Sequence, residues 1–128
     1  MATKLSKTGT VTITDLKDSW ELVLEAGRTY NYEAKNTGSN GKFSFVIQNE
    51  SLNYGDVPIS EDWNKVVKVT VDPGKTKNGT FKATQSIHGL NSNDPATQAR
   101  IESISYIRVS VKWVVTAYKA KYSVKITD

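Results

Sequence analysis

Apolar residues recur at every second position along most of this chain, and such alternation predicts β-strands with one buried and one solvent-facing side. The pattern is clearest in the closing stretch, from Tyr106 to Asp128. The alternating apolar residues there are Ile107, Val109, Val111, Trp113, Val115, Ala120, Tyr122, Val124 and Ile126. Two strands joined as a hairpin about Ala117–Lys119 would explain both the pattern and its short break.

Six earlier segments repeat this alternation, and most are bounded by glycine, asparagine or proline. They are residues 9–14, 20–25, 29–34, 42–48, 65–71 and 76–85. Asn40-Gly41 is typical of a hairpin turn, and Pro73-Gly74 fits a turn between strands. About eight short strands without alternating helices predict an all-β fold, an antiparallel β-sandwich that is jelly-roll-like. The length of 128 residues fits one such domain, spanning 1–128.

The alternation stops at residues 49–64 and again at 86–98. The second gap contains the start of one predicted short helix, near residues 95–102. Asp94 would cap this helix, Pro95 would occupy its first position, and Gln98 would complete the first turn.

The chain has no cysteine and a single histidine, His88. Disulfides and thiolate chemistry are therefore excluded, and too few nitrogen or sulfur ligands remain for a zinc site. His88 stands in a polar segment without the G-x-S-x-G turn of many serine hydrolases. We therefore predict no catalytic residues, no metal site and no cofactor. A hydrolase that uses His88 is the weakest alternative.

Positive charge is concentrated in the second half of the chain. The net charge is +4. Residues 1–64 contain 6 basic and 9 acidic residues, a net of −3, and residues 65–128 contain 11 basic and 4 acidic residues, a net of +7. This asymmetry favours self-association of unlike faces, unless the two halves interleave in the fold and their charges mix.

Four of the basic residues lie at polar positions of the two closing strands, and a hairpin would place them on one side. They are Arg108, Lys112, Lys121 and Lys125. This side would suit an anionic partner or a membrane surface. It disfavours nucleic acid, because no aromatic residues stand between the basic ones to stack on bases.

The segment 49–64 contains aromatic residues beside polar ones, a combination that suits stacking on sugar rings. The candidate ligand-binding residues there are Tyr54, Asp56, Trp63 and Asn64. The acidic residues of this segment do not follow a known calcium-loop pattern, and calcium binding stays open.

These observations favour a non-enzymatic recognition module that binds a glycan or an anionic surface through loop aromatics and a basic sheet face. The alternative is a self-assembling structural or pore-forming, toxin-like β subunit, which would be a homo-oligomer. We expect a secreted or cell-surface location, although the first residues contain no signal peptide. No apolar run is long enough for a transmembrane helix.

Overall fold

The computed structural model describes residues 2–50, 65–86, 91–114 and 119–128. Within these ranges the chain forms eight strands and one helix. They are β1 (Thr3–Thr12), β2 (Lys17–Glu25), β3 (Thr29–Asn36), β4 (Phe43–Asn49), β5 (Lys65–Val71), β6 (Thr76–Lys82), α1 (Pro95–Glu102), β7 (Ile104–Trp113) and β8 (Lys119–Thr127).

The strands form two antiparallel sheets of four, with the order β1-β8-β3-β6 in the first sheet and β2-β7-β4-β5 in the second sheet. The pairing is nested: β4 pairs with β5, β3 with β6, β2 with β7 and β1 with β8. Additional pairing of β3 with β8 and of β4 with β7 completes the sheets. The order is that of a jelly roll, so the predicted antiparallel sandwich is confirmed.

The closing hairpin about Ala117–Lys119 is a wrong prediction, because β7 belongs to the second sheet and β8 to the first. The predicted hairpin turn at Asn40-Gly41 is also wrong. This turn links β3 in the first sheet to β4 in the second sheet. The physical reason is that alternation reports only which side chains are buried. Two strands show the same alternation whether they are neighbours in one sheet or face each other across a shared core.

The core lies between the sheets and consists of the inward residues that the alternation indicates. The largest fully buried apolar side chains belong to Tyr30, Phe43, Phe45, Ile47, Ile107, Ile126, Val11, Val71, Val109, Val111 and Val124. Trp20 and Trp113 pack against this core and are only partly buried. Val115, predicted to be buried, lies outside the described residues.

The predicted short helix is confirmed as α1, with Asp94 at the N-cap position and a proline in its first turn, but the Asp94 side chain makes no capping hydrogen bond to the helix backbone. The Thr97 hydroxyl donates to Asp94 Oδ2 at 2.7 Å, and the Gln98 N–H donates to the Asp94 carbonyl at 3.0 Å. None of the eight helical residues is fully buried, so α1 lies on the surface of the sandwich. No helix in the described ranges has the length and apolar character needed to span a membrane.

A buried polar network joins the second sheet to the segment that follows β6. Asn49 Nδ2 donates to the Thr84 carbonyl at 2.7 Å, and the Ser86 hydroxyl donates to Asn49 Oδ1. The Tyr106 N–H in turn donates to the Ser86 hydroxyl at 2.7 Å. Because these groups are bonded to one another, their burial leaves few unpaired polar atoms.

Each sheet alternates strands from the first and second halves of the sequence. The acidic first half and the basic second half are therefore mixed on both sides of the sandwich. The charge asymmetry of the sequence consequently does not produce one acidic and one basic face.

Candidate functional site

The predicted ligand-binding residues Tyr54, Asp56, Trp63 and Asn64 lie outside the described residues, as does His88. Their roles stay predictions. The candidate site described below consists of outward-facing residues of the two sheets and of one adjoining loop.

The two sheets divide the four predicted basic residues between them. Arg108 and Lys112 project from β7 on the outer side of the second sheet, whereas Lys121 and Lys125 project from β8 on the outer side of the first. The prediction that the four share one face is therefore wrong, for the same reason as the closing hairpin. Whether either pair binds an anion stays a prediction.

Arg108 is occupied by internal ion pairs. Its Nη2 lies 2.8 Å from Glu21 Oε1, and its Nε lies 3.0 Å from Glu50 Oε1. The hydrogen bond to Glu21 is the main reason that the pKa of Arg108 is raised above its ordinary value. Because two carboxylates neutralise the charge of its guanidinium, Arg108 is poorly suited to bind an external anion.

The outer side of the first sheet, which we call the polar face, differs in composition from the outer side of the second sheet. Its members are the outward residues of four strands, counted in β1 from Ser6, after the irregularity at the start of that strand, and all of them are polar. They are Ser6, Thr8, Thr10 and Thr12 of β1, Lys119, Lys121, Ser123, Lys125 and Thr127 of β8, Thr29, Asn31, Glu33 and Lys35 of β3, and Thr76, Asn78, Thr80 and Lys82 of β6. Five lysines and one glutamate give this face a net charge of 5 − 1 = +4.

A groove of about 530 Å³ crosses the polar face over β6, β3 and β8. It is lined by Asn31, Tyr32, Glu33, Asn78, Gly79, Thr80, Lys125 and Thr127. The strand register places Glu33 directly between Asn78 and Lys125. Amide, carboxylate, ammonium and hydroxyl groups therefore stand side by side, the mixture of donors and acceptors that hydroxyl-rich ligands require.

A second cavity, of about 370 Å³, lies where the loop between β3 and β4 meets the start of β8. We call it the loop pocket, and it is lined by Thr37, Gly38, Ser39, Asn40, Lys119 and Lys121. It adjoins the polar face, because Lys119 and Lys121 belong to both.

Sequence reasoning found Lys121 and Lys125 and missed Lys35, Lys82 and Lys119. The missing information is strand order, which brings β8 between β1 and β3. One signal was present in the sequence: every second residue of β1 from Ser6 to Thr12 is serine or threonine. In the ranges that the structure covers, no three histidine or acidic side chains come close enough together to hold a metal ion.

No known protein family matches the sequence, and no curated protein matches it as a relative. A solved structure of infectious bursal disease virus Gt strain is similar with a TM-score of 0.36 and 11% sequence identity. The match covers 98% of this chain and 32% of that chain, so this chain spans about a third of the length of its structural neighbour. At this degree of similarity the match assigns neither family nor function.

Proposed function

We propose that this protein is a non-enzymatic recognition module that binds an acidic glycan through the polar face. The observation that carries the proposal is the composition of that face: seventeen polar residues, of which five are lysines and one is a glutamate. A uniformly polar surface with excess positive charge attracts anionic polymers over a wide area.

The chemistry of the polar face favours a glycan over other anionic polymers. Nucleic acids are usually bound with aromatic side chains that stack on bases, and the polar face has no outward aromatic residue. Membrane-surface binding usually buries apolar or aromatic side chains at the headgroup boundary, and this face offers none. Sugar hydroxyls, in contrast, match its threonines, asparagines and lysines as hydrogen-bond partners.

The arrangement of the lysines suits a polymer that carries repeated negative charges. A strand rises about 3.3 Å per residue, which places the Cα atoms of Lys119 and Lys121 about 7 Å apart and those of Lys121 and Lys125 about 13 Å apart. Lys35 adds a positive charge on the neighbouring strand, directly opposite Ser123. An extended acidic chain lying along β8 would therefore meet ammonium groups at several points.

The test is calorimetric titration of a sulfated polysaccharide, with neutral dextran as the comparison ligand. We expect binding of the sulfated polymer that weakens as salt rises, because exposed charges are screened. Lys35→Ala combined with Lys125→Ala should weaken binding about tenfold, equal to about 1.4 kcal/mol. Both lysines stand on the central strands of the first sheet, outside the loop pocket.

The matched control is Lys68→Ala combined with Lys112→Ala, which removes the same charge from the second sheet. It should change the affinity by less than about twofold, well under 1 kcal/mol. If both double variants weaken the affinity for the polysaccharide equally, binding depends only on the net charge of the protein. That result would contradict recognition by the polar face. Binding to anionic lipid vesicles without binding to the polysaccharide would also overturn the proposal.

A second candidate function, a self-assembling structural subunit, is favoured by apolar side chains along β2 and the turn before it. Ile13, Leu16 and Val23 are 53%, 54% and 61% exposed. β2 is an edge strand of the second sheet, with β7 on one side. Exposed apolar residues along an edge strand are a common site of contact between subunits.

This second candidate predicts oligomers in light scattering at micromolar protein concentration, and Leu16→Ser combined with Val23→Thr should lower the mass toward that of one chain. Thr10→Ser, on the other sheet, is a control that should leave the mass unchanged. A mass of a single chain at every concentration would remove this candidate.

A further inference from the structure

We infer that the loop pocket binds one tetrahedral oxyanion, a sulfate or phosphate group carried as an ester on a sugar. The polymer part of this inference rests on the proposed function, whereas the anion site itself depends only on the pocket.

The lining of the loop pocket consists of groups that an anion prefers. Lys119 and Lys121 contribute two ammonium groups, and Thr37, Ser39 and Asn40 contribute two hydroxyls and an amide. No acidic residue is among the lining residues. Within the described part of the chain, neither lysine has a carboxylate at ion-pair distance.

Two other lysine sites, in contrast, have an acidic neighbour. Lys125 stands directly opposite Glu33, and Lys42 lies 3.4 Å from Asp72. Lys119 and Lys121 have only threonines opposite them on β1. Two neighbouring like charges repel each other, and an anion between them would convert this repulsion into attraction.

The backbone of the same loop has two N–H groups without an acceptor in the described residues. Among the residues that the structure covers, none accepts a hydrogen bond from the N–H of Ser39 or Asn40. Two backbone donors of the loop that lines the pocket are therefore available to a ligand. A sulfate or phosphate ester offers three terminal acceptor oxygens against two in a carboxylate, so it can bind more of the donor groups of the lining residues at once, which favours a tetrahedral anion.

A buried asparagine holds the loop in shape. Asn36 is fully buried, and its Nδ2 donates to the carbonyls of Gly41 at 2.6 Å and Val71 at 3.0 Å. Its Oδ1 accepts a hydrogen bond from the Gly38 N–H at 3.0 Å. These three bonds tie both ends of the loop to one rigid side chain, so the pocket exists before a ligand arrives.

Two direct contacts fasten the same loop to the start of β8. The Thr37 N–H donates to the Lys121 carbonyl at 3.1 Å. Gly41 packs so closely that a Cβ atom there would lie 2.0 Å from the Lys119 carbonyl oxygen. The loop and the two lysines therefore keep a fixed mutual position, as a site for a specific group requires.

The size of the pocket favours an ester over the free ion. Its volume of about 370 Å³ is in the range of pockets that hold small organic ligands. A lone sulfate would leave most of that space to water, whereas a sugar ring attached to the sulfate would fill it.

The experiment follows backbone amide NMR signals during titration with inorganic sulfate, with ionic strength kept constant by chloride. We expect saturable shifts at Ser39 and Asn40 in the wild type. Lys119→Ala combined with Lys121→Ala should weaken the apparent affinity at least about tenfold. Lys68→Ala combined with Lys112→Ala, which removes the same charge from the second sheet, should leave it unchanged. Both pocket lysines are exposed, so we expect the variants to fold. Unchanged amide signals in the rest of the protein will show that they do.

A second arm compares a sulfated polysaccharide with its desulfated form. The sulfated polymer should shift the same two amides, and the desulfated polymer should not. If sulfate shifts neither amide while the polysaccharide still binds in a manner dependent on Lys125, the pocket inference is wrong and the proposed function stands. If sulfate shifts both amides but no polysaccharide binds, the pocket stands and glycan recognition fails.

Discussion

Tyr122 joins the two sheets through both its ring and its hydroxyl. The ring packs against Trp20 and Phe43, with centroids 5.8 Å and 6.1 Å away. The hydroxyl donates to Asp18 Oδ2 at 2.5 Å, from the first sheet to the second. Burial, and then the hydrogen bond to Asp18, raise the pKa of Tyr122 well above that of a free tyrosine.

Tyr122→Phe removes this hydrogen bond and keeps the ring. We expect a loss of about 1.5–3 kcal/mol in the free energy of unfolding in urea, the usual cost of losing a bond to a charged group. Asp18→Asn, which retains an acceptor oxygen, should cost less. Equal stability of Tyr122→Phe and the wild type would mean that the hydroxyl contributes nothing.

The same variant makes the alkaline behaviour of the protein testable. Tyrosine in the unfolded chain ionises near pH 10, and Tyr122 in the folded protein keeps its proton to higher pH. Above about pH 10 the unfolded state therefore binds fewer protons, and the free energy of unfolding falls as pH rises. In Tyr122→Phe this fall should be shallower, because one of its sources has been removed.

The alternation of the sequence places Tyr122 in the core, but it says nothing about Asp18, which is 104 positions away. Asn36 shows the same limit. It continues the inward side of β3, yet its partners come from the next loop and from β5. Polar contacts across the sandwich depend on strand order, which a local pattern does not contain.

Among the strands, β1 and β6 form the edges of the first sheet, and both have the same local packing arrangement. Each has a glycine directly opposite an inward tyrosine of its neighbour: Gly9 opposite Tyr122 and Gly79 opposite Tyr32. A Cβ atom would lie 2.5 Å from the Tyr122 hydroxyl oxygen at Gly9 and 2.9 Å from that of Tyr32 at Gly79. The tyrosine therefore occupies the space that a side chain on the edge strand would need.

Gly9→Ala should accordingly destabilise the protein by about 1–3 kcal/mol, the usual cost of overpacking a filled site. If there were room, the same change would stabilise by about 0.4–1 kcal/mol, since alanine restricts the unfolded chain. Urea unfolding decides between the two by the sign of the effect. Ser6→Ala, at an exposed outward position of the same strand, is the control and should stay within about 0.5 kcal/mol.

On the scale of the whole molecule, the number of strands, the short helix and most of the core follow from the sequence, because burial alternates with period two along each strand. Sheet membership does not follow. β7 and β8 are consecutive and similarly patterned, yet they lie in different sheets, which is why the four basic residues were grouped wrongly. The polar face could be recognised only after β1, β8, β3 and β6 had been placed side by side.

The nested pairing has a consequence for how the chain folds. The innermost pair, β4 with β5, closes the shortest loop. Once it has formed, the ends of the next pair, β3 and β6, are already close together, so each further pair has to close only a short additional loop. Formed first, the outermost pair would have to close a loop of 127 − 3 = 124 positions, from Thr3 to Thr127. We therefore expect the chain to close from its middle outward, and slowly, as folds with distant contacts do. On this order β1 and β8 would be the last strands to pair, and because they supply about half of the residues of the polar face, we expect that face to be complete only in the final step of folding.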